Sequence, residues 1–279
     1  MNITSQNRCF NGEQRIYQHD STALGVPMTF GVYLPPQALA GETCPAVIYL
    51  AGLTCTEETF AIKAHAQQQA AELGMILVSP DTSPRGDDVA KGDHWDIGQG
   101  AGFYVDATQA PWAQHYQMES YICDELYTLI QQHFKVGKVG LMGHSMGGHG
   151  ALTLAFRHAD LFASVSAIAP IAAPIDCAWG QKAFGTYLGD DQIEWAKHDA
   201  SRLVVAQSAV NGPLFDEVLV DQGMQDQFLN QLGTDAFEAA CQQAGQALRL
   251  RRHEGYDHGY YFIQTVIGDH LQHHADRLG

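Results

Sequence analysis

Basic residues are scarce in this chain of 279 residues. Its 15 lysines and arginines face 31 aspartates and glutamates, a formal net charge of −16. A surface of that sign repels nucleic-acid phosphates and anionic lipid headgroups, so neither is an expected partner. No apolar run approaches the length needed to cross a bilayer. The opening residues, Met1 to Arg8, lack a basic stretch followed by an apolar one, so no secretory signal is expected and the expected location is cytoplasmic. The six cysteines (Cys9, Cys44, Cys55, Cys123, Cys177, Cys241) form no Cys-x-x-Cys pair and no cysteine–histidine finger. Isolated thiols of this kind suit a reducing compartment. There is also no His-Glu-x-x-His and no phosphate loop ending in Gly-Lys-Ser/Thr, so no metal and no cofactor are expected.

What is present is the material of a packed core. Hydrophobic residues make up 46% of the chain, and 28 glycines allow many tight turns. No repeat or linker interrupts it, which predicts a single domain over residues 1–279. Short β-branched and aromatic runs at Gln14–His19 and Met28–Leu34 predict two strands, the second stopped by Pro35-Pro36. The continuous apolar run Ala46–Leu50 predicts a strand buried on both faces, as does Met75–Ser79. An alanine- and glutamine-rich helix is expected over Glu57–Leu73, closed by Gly74. From Asp81 to Tyr116 the periodicity fails, and a loop of that length in a compact chain ordinarily serves a binding site. Further on, strands at Val139–Met142, Ala163–Ala169, Glu217–Val220 and Leu248–Arg251 alternate with helices at Gln117–Phe134, Gly147–His158, Asp226–Ala244 and Tyr260–Arg277. This alternation predicts an α/β architecture, a mostly parallel sheet with helices on both faces and an antiparallel N-terminal edge.

The strand Val139–Met142 runs directly into Gly143-His144-Ser145-Met146-Gly147 and then into a helix. A strand-to-helix turn this sharp needs glycine on either side of the serine, and it lifts the hydroxyl clear of the sheet at a helix N-terminus. The pattern points to a serine nucleophile and to the α/β-hydrolase fold. A serine hydroxyl needs a base and an acid to orient that base, and in this fold they follow in the order acid, then histidine. Among 14 histidines, His258 lies between the last strand and the last helix, with His253 at the strand end as the weaker candidate. His270, His273 and His274 fall on the last helix, where a solvated face is the expectation. Asp221 closes a strand and Asp226 lies beyond a glycine turn. Asp226 is favoured because a carboxylate serving the next loop must project from the turn itself.

Several blocks together resemble one family along almost the whole chain. They are Gly52-Leu53-Thr54-Cys55-Thr56, Pro80–Gly86, Gly100–Val105, Gly143–Leu152, Trp179–Phe184, Asp221–Leu229 and Gly255-Tyr256-Asp257-His258. The resemblance is to S-formylglutathione hydrolase, the esterase D family. It implies hydrolysis of a small thioester to glutathione and formate, with Ser145, Asp226 and His258 as the triad and no cofactor. It also implies an oxyanion hole from the backbone N–H groups of Leu53 and Met146. Trp179, Phe103 and Tyr104 are then expected to wall a narrow acyl pocket. Arg85 and Lys182 are expected to meet the glutathione carboxylates, an internal salt bridge being the competing reading. Cys55, two residues from Leu53, is a candidate regulatory thiol. Dimers are common in the family, so a homodimer belongs to the expectation. Two departures stand out: Gly259 replaces a usual serine, and the stretch between acid and histidine is one residue short. The same triad would also serve a general short-chain carboxylesterase or an acyltransferase. A non-catalytic binding protein on this fold is the reading from another class.

Overall fold

The computed structural model describes residues 1–279. Its nine strands are β1 (Asn2–Cys9), β2 (Gly12–Asp20), β3 (Pro27–Leu34), β4 (Cys44–Leu50), β5 (Ile76–Pro80), β6 (Val136–His144), β7 (Phe162–Ile168), β8 (Val218–Gly223) and β9 (Leu248–His253). They form one sheet in the order β1-β2-β3-β5-β4-β6-β7-β8-β9. The first three pair antiparallel with one another, and β3 pairs antiparallel with β5. Every pairing from β5 through β9 is parallel. The mostly parallel sheet with an antiparallel N-terminal edge is therefore as expected, extended outward by β1. That strand is largely exposed and polar, so it carries no apolar pattern by which to read it.

The apolar run of β4 divides between the two faces. Ala46, Ile48 and Leu50 join one hydrophobic cluster, while Val47, Tyr49 and Ala51 join the other. Period-two side-chain direction turns a continuous apolar segment into two half-cores, each of which needs its own cover. Helices Glu57–Lys63, Gln67–Leu73 and Tyr260–Leu278 contribute Phe60, Ala70 and Ile263 to one cluster. Helix Met146–Arg157 contributes Leu152 and Phe156 to the other.

The structure corrects three local readings. The helix expected over Glu57–Leu73 is two helices, broken where His65 takes φ +57°. The helix expected from Asp226 begins at Thr234, leaving Asp226 in an irregular turn. His270, His273 and His274 are buried, and the solvated face expected for them does not exist. They continue the stripe of Ile263, Val266, Ile267 and Leu271 at helical spacing. Small polar groups of β7 receive two of them: His274 lies 2.6 Å from Ser164 Oγ and 2.9 Å from Ser166 Oγ, and His273 Nε2 donates to the Val165 carbonyl at 3.1 Å. Burial holds His274 well below the ordinary imidazole range, with the neighbouring His273 and His270 adding to it, so it is neutral. All six cysteines are free thiols. No helix is long and apolar enough to cross a membrane.

Candidate active site

The carboxyl ends of β4, β6, β8 and β9 bring four loops to one rim of the sheet, where open α/β sheets place their ligands. The loop after β6 is the shortest. Ser145 follows the strand directly at φ +57°, ψ −120°, and helix Met146–Arg157 starts at the next residue. A non-glycine residue in that region is strained and persists only when its surroundings dictate it. Here they do: Ser145 N–H donates to the Ile168 carbonyl at 3.0 Å, and its own carbonyl accepts from Ile171 N–H at 3.2 Å. A Cβ at Gly147 would land on the Leu50 carbonyl, and one at Gly143 on the Gly147 carbonyl. The turn therefore closes only with glycine at both positions.

The β4 loop lies against the serine. A Cβ on Gly52 would stand 3.2 Å from Ser145 Cβ and 3.1 Å from His144 Nδ1. The next N–H, that of Leu53, thus belongs to a chain in contact with Ser145, as does the N–H of Met146 in the first helical turn. First-turn amides have no intrahelical acceptor, which leaves them available to developing negative charge. The long segment between β5 and the helix at Tyr127 pins this loop from behind. Tyr104 Oη donates to the Ala51 carbonyl at 2.9 Å, Thr82 Oγ1 to the Cys55 carbonyl at 2.6 Å, and Arg85 Nη2 to that carbonyl at 3.0 Å.

The β8 and β9 loops supply two separate histidine–carboxylate pairs. In the first, His258 Nδ1 donates to Asp226 Oδ2 at 2.6 Å, both residues being buried. The carboxylate can only accept, so the proton sits on Nδ1 and Nε2 is left as the basic nitrogen. In the second, Asp221 is fully enclosed and accepts from Arg251 Nε and Nη2 at 2.6 and 2.5 Å, from His253 at 3.1 Å and from His270 at 3.1 Å. Burial alone would raise the Asp221 pKa. The bonds from His270, Arg251 and His253 outweigh it and hold the carboxyl well below the usual range. Asp221 and His253 are thereby committed to each other, Arg251 and the last helix. His258 instead packs its ring 4.5 Å from that of His144, the residue preceding the serine. His144 Nε2 donates to the His258 carbonyl at 3.0 Å. Burial, and then the nearby His258, hold the His144 pKa well below the imidazole range, so it is a neutral strut for the histidine loop.

The residues expected around the substrate divide. Trp179, on helix Ala178–Tyr187, belongs to an aromatic row that starts at His258. Phe228 meets His258 edge-on at 5.0 Å, Trp179 leans on Phe228 at 4.7 Å, and Trp95 crosses Trp179 at 5.7 Å. Phe228 and Trp95 went unnoticed in the sequence, where each stood as one more isolated aromatic. Phe103 and Tyr104 do not wall a pocket. Both take positive φ, near +50°, which turns their rings into the core against His149 and Gly150. Arg85 is engaged internally: its Nε donates to Asp81 Oδ2 at 2.7 Å as well as holding the Cys55 carbonyl, so the salt-bridge reading replaces the substrate one. Lys182 Nζ pairs with Asp96 Oδ1 at 2.6 Å but stays part-exposed. Burial pushes the Cys55 thiol above the ordinary thiol range, and the residue is only partly buried.

The family model described as "Putative esterase" matches residues 21–273. S-formylglutathione hydrolase of Paracoccus denitrificans is 49% identical over 277 residues, covering 99% of this chain and 97% of its own. The Mus musculus S-formylglutathione hydrolase is 50% identical over 279 residues, with 98% and 97% covered. This chain belongs to the S-formylglutathione hydrolase family of esterases. A solved S-formylglutathione hydrolase from Agrobacterium tumefaciens superposes with a TM-score of 0.95 at 48% identity, both chains covered completely. The α/β-hydrolase fold follows from that membership and from the sheet order.

Proposed function

We propose that the protein hydrolyses S-formylglutathione to glutathione and formate through a formyl-enzyme on Ser145. The observation that carries the substrate is full-length identity of 48–50% to S-formylglutathione hydrolases from three organisms. The chemistry is supported by the elbow at Ser145 and the His258–Asp226 hydrogen bond beside it.

Ser145 Oγ attacks the formyl carbonyl while His258 Nε2 takes its proton. The resulting oxyanion turns toward the N–H groups of Met146 and Leu53, which are in place before charge develops and need no reorganisation. Collapse breaks the C–S bond, and the glutathione sulfur leaves with the proton from His258. Water, deprotonated by the same nitrogen, then attacks the formyl-enzyme and releases formate. Asp226 keeps the Nδ1 proton in place and stabilises the imidazolium in both halves. Formyl is the smallest acyl group, so the row Phe228–Trp179–Trp95 serves as the barrier to longer ones. Lys182 is the cation available to a glutathione carboxylate, which would exchange with Asp96. The reading includes a cytoplasmic homodimer acting on this small molecule.

The test is kcat/KM for S-formylglutathione beside that for p-nitrophenyl acetate, in wild type and in Ser145→Ala. The expected result is a strong thioester preference and a loss of at least about 10³-fold in the variant. Equal or better ester turnover would leave a general esterase. Trp179→Ala is expected to raise butyryl relative to acetyl ester turnover by at least about tenfold, since even one of the two extra methylenes, once accommodated, is worth that order. An unchanged chain-length profile would remove Trp179 from the pocket wall.

A further inference from the structure

Gln222, at the end of β8, is a buried side chain that the reaction above leaves unused, and both ends of its amide are hydrogen-bonded. Its Nε2 donates to the Gly223 carbonyl at 2.9 Å and to Asp226 Oδ2 at 3.2 Å, while its Oε1 accepts from Thr234 Oγ1 at 3.1 Å. Two of these partners can only accept, so the amide has one workable orientation, and the Thr234 hydroxyl holds it there. Asp226 Oδ2 is the same oxygen that receives His258 Nδ1. Its other oxygen accepts from Phe228 N–H at 2.8 Å. The carboxylate is thus held from three directions, and one of its donors competes with the histidine for a single atom.

We propose that Gln222 is a positioning residue that aims the Asp226 carboxylate at His258 and moderates its charge. The inference rests on the reading of Asp226 as the triad acid. A hydrogen bond to Oδ2 draws off part of the charge that the carboxylate presents to His258 Nδ1. It also stops the carboxylate rotating away from Nδ1, which one backbone amide alone does not do. The chain Thr234–Gln222–Asp226–His258 runs from the first turn of helix Thr234–Ala244 to the reacting nitrogen. A cleft of about 220 Å³ reaches Gln222 and Thr234 from the side of Arg252. A small residue at 222 would therefore let water take the amide's place, so the informative variants keep its bulk.

Gln222→Glu is isosteric and sets a third acceptor against the Gly223 carbonyl and Asp226 Oδ2. Its kcat is expected to fall at least about tenfold, the order of a hydrogen bond to a charged group. The acid limb of kcat/KM against pH is expected to move up by about one pH unit, because a second carboxylate favours the protonated imidazole. KM for S-formylglutathione should stay within about twofold, since binding surfaces are untouched. Gln222→Leu is expected to show the same upward movement in smaller degree. Where the buried changes prevent folding, Thr234→Val reports instead: it frees the amide without touching the carboxylate, and its limb should also move up. An acid limb that stays where wild type has it, whether or not kcat drops, overturns the proposal and leaves Gln222 a packing residue. So does a Gln222→Glu enzyme within about twofold of wild type from about pH 5 to pH 9. Asp226→Asn run in the same assay separates the two readings. If it retains activity, the assignment of Asp226 fails; if it is inactive while the limb is unmoved, only the role of Gln222 fails.

Discussion

Asp226→Asn should lower kcat by about 10⁴-fold at a stability cost of only about 1 kcal/mol, that of one lost hydrogen bond, because the amide pairs with the wrong tautomer of the base. The bond at stake is the 2.6 Å contact from His258 Nδ1 to Asp226 Oδ2. With an amide nitrogen at that position, the imidazole gains by carrying its proton on Nε2, the nitrogen that must accept the Ser145 proton. Phe228 N–H still donates to the remaining oxygen, Oδ1, while the bond from Gln222 Nε2 is lost with Oδ2. Steady-state kinetics with a short p-nitrophenyl ester, alongside thermal unfolding, would decide the matter. Activity within tenfold of wild type would exclude Asp226 as the acid and reopen the choice.

Asp221→Asn should do the reverse, destabilising the fold by about 3 kcal/mol, as breaking a buried ion pair does, while leaving the chemistry largely intact. Asp221 is fully enclosed and ties Arg251 and His253 of β9 and His270 of the last helix to the end of β8. Removing its charge strands those donors. The effect has a defined pH dependence. The carboxyl is held well below its unfolded-state value by His270, Arg251 and His253 despite burial. Its contribution is therefore fully present above the ordinary aspartate range, near pH 4, and is lost as pH falls below it. Urea unfolding at pH 7 and at about pH 3 should show the gap between wild type and variant shrinking in acid. A gap that is constant, or absent at pH 7, would mean that Asp221 is not the anchor of this corner.

These two aspartates show where sequence reasoning stops. Asp221 lies near the end of β8 and Asp226 just beyond it, and chain order alone leaves both as candidates for the acid. What separates them is where their partners arrive from: Arg251 and His270 reach Asp221 through the pairing of β8 with β9 and the docking of the last helix. Neither contact has a signal within a short window of sequence. The last helix itself was legible from its spacing, but His270, His273 and His274 look like solvent residues until Ser164, Ser166 and Asp221 are set opposite them. Gln222 and Phe228 carry no chemical mark either. Their interest arises only because one touches Asp226 and the other touches His258. Arg85 and Lys182 illustrate the same limit for charge: the sequence leaves substrate contact and an internal salt bridge both open, and only the fold sets Asp81 and Asp96 beside them.

The chain by itself determined whatever depends on near neighbours. Gly143 dictates a tight turn at Ser145 because a Cβ there would meet the Gly147 carbonyl four residues on, whereas the reason for Gly147, the Leu50 carbonyl of β4, comes from the tertiary structure. The apolar run Ala46–Leu50 dictates a strand covered on both faces because alternate side chains point opposite ways. Only the tertiary structure decided which carboxylate meets which histidine, which cations are already paired, and which aromatics stand beside the base. Apart from Arg85 and Asp81, four residues apart, those are contacts between segments tens of residues apart or more. Their partners are selected by strand order and burial, and a buried polar group accepts whichever donor the fold delivers to it.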